Sequence, residues 1–117
     1  MPSVVREVVL PVSRERAWEL LTEEPAEWLA DDAAIEAEPG GEIRADDREG
    51  VVEAVDPGRR LDFRWHDGDS ASHVTWLLDE EPGGTRVTVT ERRLTPDFVA
   101  WGPKLRALAG ATALCLA

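Results

Sequence analysis

Glu91 is the residue in this chain best placed to do chemistry. Read with period two, Val87 and Val89 precede it on one face of a strand. Two neighbouring segments carry similar rows. Leu61, Phe63 and Trp65 form one, and Val74, Trp76 and Leu78 form the other. A carboxylate ending an apolar row describes an apolar chamber with a polar end, the common build of a small-molecule pocket. Inside such a chamber Glu91 accepts hydrogen bonds from a ligand or serves as a general acid or base. The competing reading is a strand-end carboxylate that reaches water or pairs with an arginine such as Arg93. Flat apolar surface for a ligand comes from Phe63, Trp65, Trp76 and Trp101, which also serve as core in either case. Trp18 and Trp28 read as structural.

Other reactive groups form no recognisable set. The stretch from His66 to His73 holds two histidines and two aspartates but has neither calcium-loop nor zinc spacing. Its histidines fall on the face opposite Trp65 and Trp76, so it reads as a polar hairpin tip. Cys115 is the only cysteine, which excludes an internal disulfide and suggests a small core residue. Nucleophile, base and orienting acid are not arranged as a triad, and no phosphate loop or dinucleotide fingerprint occurs. The expectation is therefore no metal, no cofactor and no catalytic residue beyond the candidate Glu91.

At 117 residues the chain suits a single domain over 1–117. Its net charge of -11 repels phosphate backbones and anionic headgroups, which disfavours nucleic acid and membrane surfaces. The opening residues lack a secretory pattern, and no apolar run reaches spanning length. No membrane insertion and a cytoplasmic location are the expectations. All acids lie at or before Asp97. That acidic part is either a solvated face or a recruitment surface for a basic partner.

The elements that must position Glu91 follow from local chemistry. Residues 4–10 are rich in valine and read as a strand that Pro11 ends. Ser13 suits an N-cap, and Ala17, Trp18 and Leu21 predict a short helix over 14–22. Pro25 predicts the start of a second short helix carrying Trp28 and Leu29. Weak strand signals at 33–38 and 42–45 precede clearer ones at 50–55, 60–65, 72–79 and 85–92. Asp56-Pro57-Gly58 and Pro82-Gly83-Gly84 are turns, so these strands form an antiparallel meander. Thr95-Pro96-Asp97 is a helix start. Trp101, Leu105, Leu108, Thr112 and Cys115 continue at helical spacing, with Pro103 either beginning the main helix or kinking it. After Arg106 the chain has no charge. Leu114 and Leu116 should then pack on a second subunit, giving a homodimer through the terminal helix, or under a loop.

Several of these residues, taken in order, are similar to a known family. Pro11-Val12-Ser13 with Ala17-Trp18 and Leu21-Thr22 resembles the opening of the START-like (SRPBCC) superfamily. Trp28-Leu29, Pro39-Gly40-Gly41 and residues 52–57 continue the likeness. Residues 60–65 and 83–91 match it best. Within the superfamily the chain resembles the branch named after the heat-shock-protein-90 ATPase activator. The resemblance implies an α+β helix-grip fold: a seven-stranded antiparallel sheet curved around a long C-terminal helix, with two short helices after the first strand. It also implies binding of a hydrophobic small molecule (lipid-like, polyketide-like or aromatic) for sequestration or delivery. Phe63, Trp65, Trp76, Val89, Glu91, Trp101 and Leu105 would line the site. Two alternatives are a cyclase or dehydratase using Glu91 as acid or base, and a co-chaperone-like interaction module. Glu91 departs from the family, where that position is often histidine, and Pro103 falls inside the expected helix.

Overall fold

The computed structural model describes residues 3–67, 70–93, 99 and 101–116, with side chains described except at 67, 70 and 112–116. Seven strands form one antiparallel sheet. They are β1 (Ser3–Leu10), β2 (Ala34–Ile35), β3 (Glu42–Ala45), β4 (Arg48–Asp56), β5 (Arg60–Asp67), β6 (Ser70–Glu81) and β7 (Gly84–Arg93). Their order is β1-β7-β6-β5-β4-β3-β2. Strands β2 to β7 are thus a meander, and β1 closes onto the last strand. The segment between β1 and β2 must therefore cross from one sheet edge to the other.

That crossing begins with helix α1 (Arg14–Thr22). Ser13 caps it by accepting from the Arg16 amide at 3.1 Å, as its side chain predicts. The second expected helix is only a 3₁₀ turn, Pro25–Glu27, and Trp28 stands at its C-cap rather than inside it. Pro25 presets the first position, but the chain then turns so that Trp28 and Leu29 both enter the core. The weak signal over 33–38 narrows to the two residues of β2.

Strand patterning fixes one buried face. Leu61, Phe63 and Trp65 of β5, Val74, Trp76 and Leu78 of β6, and Val87 and Val89 of β7 are all buried. Cross-strand register sets them in layers: Leu61, Trp76 and Val89 lie side by side, as do Phe63, Val74 and Glu91. Gly50 makes room at one end. A Cβ there would meet the Arg64 carbonyl oxygen at 1.9 Å, so only glycine permits β4 to approach β5 beside Trp65.

Helix α2 (Trp101–Leu116) covers this face with Trp101, Leu105 and Leu108, all buried. It begins at Trp101, so Pro103 occupies its first turn, where a missing amide proton costs no internal bond. Pro103 therefore lies within its first turn rather than starting it. The expected cap at Thr95-Pro96-Asp97, the tip residues Gly68 and Asp69, and the side chains of Thr112, Leu114, Cys115 and Leu116 lie outside the described residues. Lys104 secures the helix start. Its Nζ donates to the Leu29 carbonyl at 2.5 Å and lies 3.4 Å from Asp46 in the β3–β4 hairpin. Among the described residues, no helix is long and apolar enough to cross a membrane.

Candidate functional site

The inward rows and the first turn of α2 meet at a cluster of aromatic rings. Phe63 lies 4.9 Å from Trp65 and 5.0 Å from Trp76, edge-on in both cases. Trp101 descends from α2 and stacks on Trp65, with centroids 6.0 Å apart and planes 11° apart. It also meets Trp76 edge-on at 6.5 Å. Such offset and edge contacts suit the ring quadrupoles and contribute about 0.5–1.5 kcal/mol each beyond area burial. Val89 stands directly opposite Trp76 in the sheet, and Leu105 follows Trp101 one turn later in α2. Of the seven residues expected to line the site, five (Phe63, Trp65, Trp76, Glu91 and Trp101) join one connected group. Val89 and Leu105 border it in the core.

Glu91 is fully buried and faces inward, as the period-two row predicts. Its Oε1 accepts from the Val99 amide at 3.0 Å and from Trp101 Nε1 at 2.9 Å. The carboxylate thus latches the last strand to the start of the covering helix. Its Oε2 has no hydrogen-bond partner among the described residues. Arg93 Nη1 lies 3.9 Å from that oxygen. Arg93 is itself buried, at 1% exposure. The carboxylate-to-arginine reading and the inward reading therefore hold together, because Arg93 lies on the same face two residues on.

Sequence reasoning named one further member of this site, Arg93, only as a pairing partner for Glu91, and missed Ser72 and the place of Trp28 in the cluster. Arg93 continues the row 87, 89, 91, so the signal was present, although an arginine at a strand end is ordinarily solvated. Ser72 is buried between Trp65 and Arg93 in the register. Trp28, read as structural, meets Trp76 edge-on at 5.2 Å and so joins the cluster. Trp18 is half-buried against the core. Arg48 from β4 sits over the Trp65 ring at 5.9 Å, within cation–π range.

The polar inventory of the cluster is its most distinctive property. Trp28, Trp65 and Trp76 each bury an indole Nε1–H with no hydrogen-bond partner among the described residues. Buried tryptophans usually find an acceptor, and an unsatisfied donor costs about 1–3 kcal/mol. Three indole donors and one carboxylate oxygen are thus buried in the grip without a hydrogen-bond partner among the described residues. On the outer face His73 is half-buried, with Nε2 3.4 Å from Glu53, and His66 is exposed. Both histidines point away from the aromatic cluster, as the strand period predicts. Among the described residues, no group of three or more metal-capable side chains converges.

A family model described as Activator of Hsp90 ATPase homolog 1-like protein matches residues 11–101. Among curated proteins, none matches the chain in sequence. Solved structures do match in fold. CalU16 from Micromonospora echinospora superposes with a TM-score of 0.84 at 18% identity, covering 97% of this chain and 78% of that one. MLL2253 from Mesorhizobium loti gives 0.82 at 24% identity, covering 97% and 98%. DynU16, from the dynemicin biosynthetic locus, gives 0.79 at 23% identity over 95% of this chain, which spans only 47% of DynU16. At these identities the likeness is one of fold.

Proposed function

This chain belongs to the Activator of Hsp90 ATPase homolog 1-like family, and on that premise we propose that it binds a hydrophobic small molecule between sheet and terminal helix. One observation carries the reading: among the described residues, three buried indole N–H groups and Glu91 Oε2 have no hydrogen-bond partner in a largely apolar grip. Burying donors in this way is costly unless an acceptor offsets it. A ligand with oxygen acceptors for the indoles and a donor for the carboxylate, on an apolar, planar body, matches both the aromatic walls and the polar points. Apolar burial at ~25 cal/mol per Å² would drive binding, and the donors would orient the molecule. The role is sequestration or delivery. The origin of DynU16 in a biosynthetic locus is in keeping with a fold that handles small molecules.

Native mass spectrometry of the purified chain tests the reading. A co-purified organic compound, or a complex formed on addition of a planar aromatic carbonyl compound with quenched tryptophan fluorescence, is expected. A bare chain that takes up no such compound contradicts it.

A second reading has its own observation. A cyclase or dehydratase using Glu91 needs another polar group in the chamber, and Arg93, 3.9 Å from Glu91, supplies one. In that case Glu91 moves a proton and Arg93 stabilises an oxyanion. Loss of turnover in Glu91→Gln with ligand affinity retained would favour it over simple binding.

A further inference from the structure

The geometry points to the Trp101 side chain as an internal occupant of the ligand's own place, so that the ligand binds by displacing it. This rests on the ligand-binding reading above and names the chemical class that the same site would take. Four contacts define the position of the indole. It stacks on Trp65, meets Trp76 edge-on, donates its N–H to Glu91 Oε1, and is 1% exposed between sheet and helix. These are the contacts expected of a bound flat aromatic molecule with one donor. The strands contribute Trp65, Trp76 and Glu91 from fixed register positions, whereas Trp101 arrives on the first turn of α2. The wall is thus the sheet, and Trp101 is what lies against it.

The polar groups around that position extend the description. Glu91 Oε1 wants a donor where the indole N–H now sits. The unpartnered N–H groups of Trp65 and Trp76 want acceptors nearby. A planar aromatic compound bearing a hydroxyl or ring N–H together with a carbonyl brings a donor for the first and an acceptor for the indoles. Trp101 satisfies only the first. A ligand of that class therefore gains hydrogen bonds that the resident indole does not make, and this differential drives the exchange. Glu91 keeps the Val99 amide as a partner throughout.

Occupant and wall differ in the sign of one mutational effect. Alizarin, a hydroxylated anthraquinone, is titrated calorimetrically into the full chain and into Trp101→Ala. An occupant must be expelled before the ligand enters, so removing it tightens binding by about tenfold or more. Trp101→Phe keeps a stacked ring without the N–H, and its affinity falls between the two. Weaker binding by both variants makes Trp101 a wall residue and overturns the inference, while leaving the grip as a ligand site. In the unmutated chain, the Trp101 indole proton should lose its protection from solvent exchange when alizarin is bound. Retained protection in the complex also overturns the displacement. Anthraquinone, which lacks a donor, should bind more weakly than alizarin. Equal affinities overturn the assigned chemical class. If none of the three proteins binds alizarin, the inference fails on its own, because co-purification of another compound still decides the ligand-binding reading separately.

Discussion

Glu91 holds two donors with one oxygen and faces a buried arginine with the other. Removing the carboxylate in Glu91→Ala leaves the Trp101 and Val99 N–H groups without that acceptor and takes a negative charge from beside Arg93. The expected loss is about 3–5 kcal/mol of folding stability, read from urea midpoints. Glu91→Gln keeps an acceptor for Trp101 and should cost distinctly less. Equal, small losses would show that the latch does not hold α2. The inward direction of Glu91 was legible in the sequence, since strand period alone puts 87, 89 and 91 on one face. Its partners were not. Val99 and Trp101 reach it from beyond the strand, and no local pattern encodes that approach. Arg93 was legible only as a pairing partner for Glu91; the strand period that carries 87, 89 and 91 inward carries 93 inward too, and Glu91 beside it offsets the buried charge. The three unpartnered indoles could not be read at all, because hydrogen bonding of an N–H depends on its three-dimensional neighbours.

The grip depends on how closely its elements approach. Gly50 lets β4 lie against β5 where Trp65 points inward, and a methyl group there would press on the Arg64 backbone. Gly50→Ala should cost about 1–3 kcal/mol, as overpacking does, and should change the near-ultraviolet signal of the tryptophan cluster. An unchanged thermal midpoint would mean that the strands separate freely. Lys104 ties α2 to the Leu29 carbonyl and to Asp46. Lys104→Met should lower stability by about 1 kcal/mol, while Asp46→Asn should cost under about 0.5 because that pair is largely solvated. Strands β5 to β7 were clear in the sequence because each buries one face and alternates accordingly. Helix α1 was clear from its cap and apolar spacing. The 3₁₀ turn after it was read as a helix because Pro25 marks a start whether or not further turns follow. β2 was read too long because its two residues pair only with β3 at the sheet edge, where burial imposes little pattern. Pro103 presented two alternatives in the sequence; the helix start at Trp101 puts it in a first turn, where neither a break nor a kink is needed.

At the scale of the whole chain, a net charge of -11 works against compactness. Ion pairs such as Arg16 with Glu24 at 2.5 Å offset it only locally. Added sodium chloride should therefore raise the thermal midpoint by screening the self-repulsion. A fall would show that the native ion pairs outweigh it. The sheet order and the covering helix follow from the sequence and from family membership, whereas the contents of the grip follow from the side-chain geometry. On the proposed function, that inner face is a ligand site lined by tryptophan donors. Two-dimensional NMR of the indole N–H groups tests this most directly. On titration with alizarin, the resonances of Trp65 and Trp76 should shift together and saturably, as their buried protons gain acceptors. A spectrum in which those resonances stay fixed at saturating alizarin, for a chain that also carries no co-purified compound, would contradict the account.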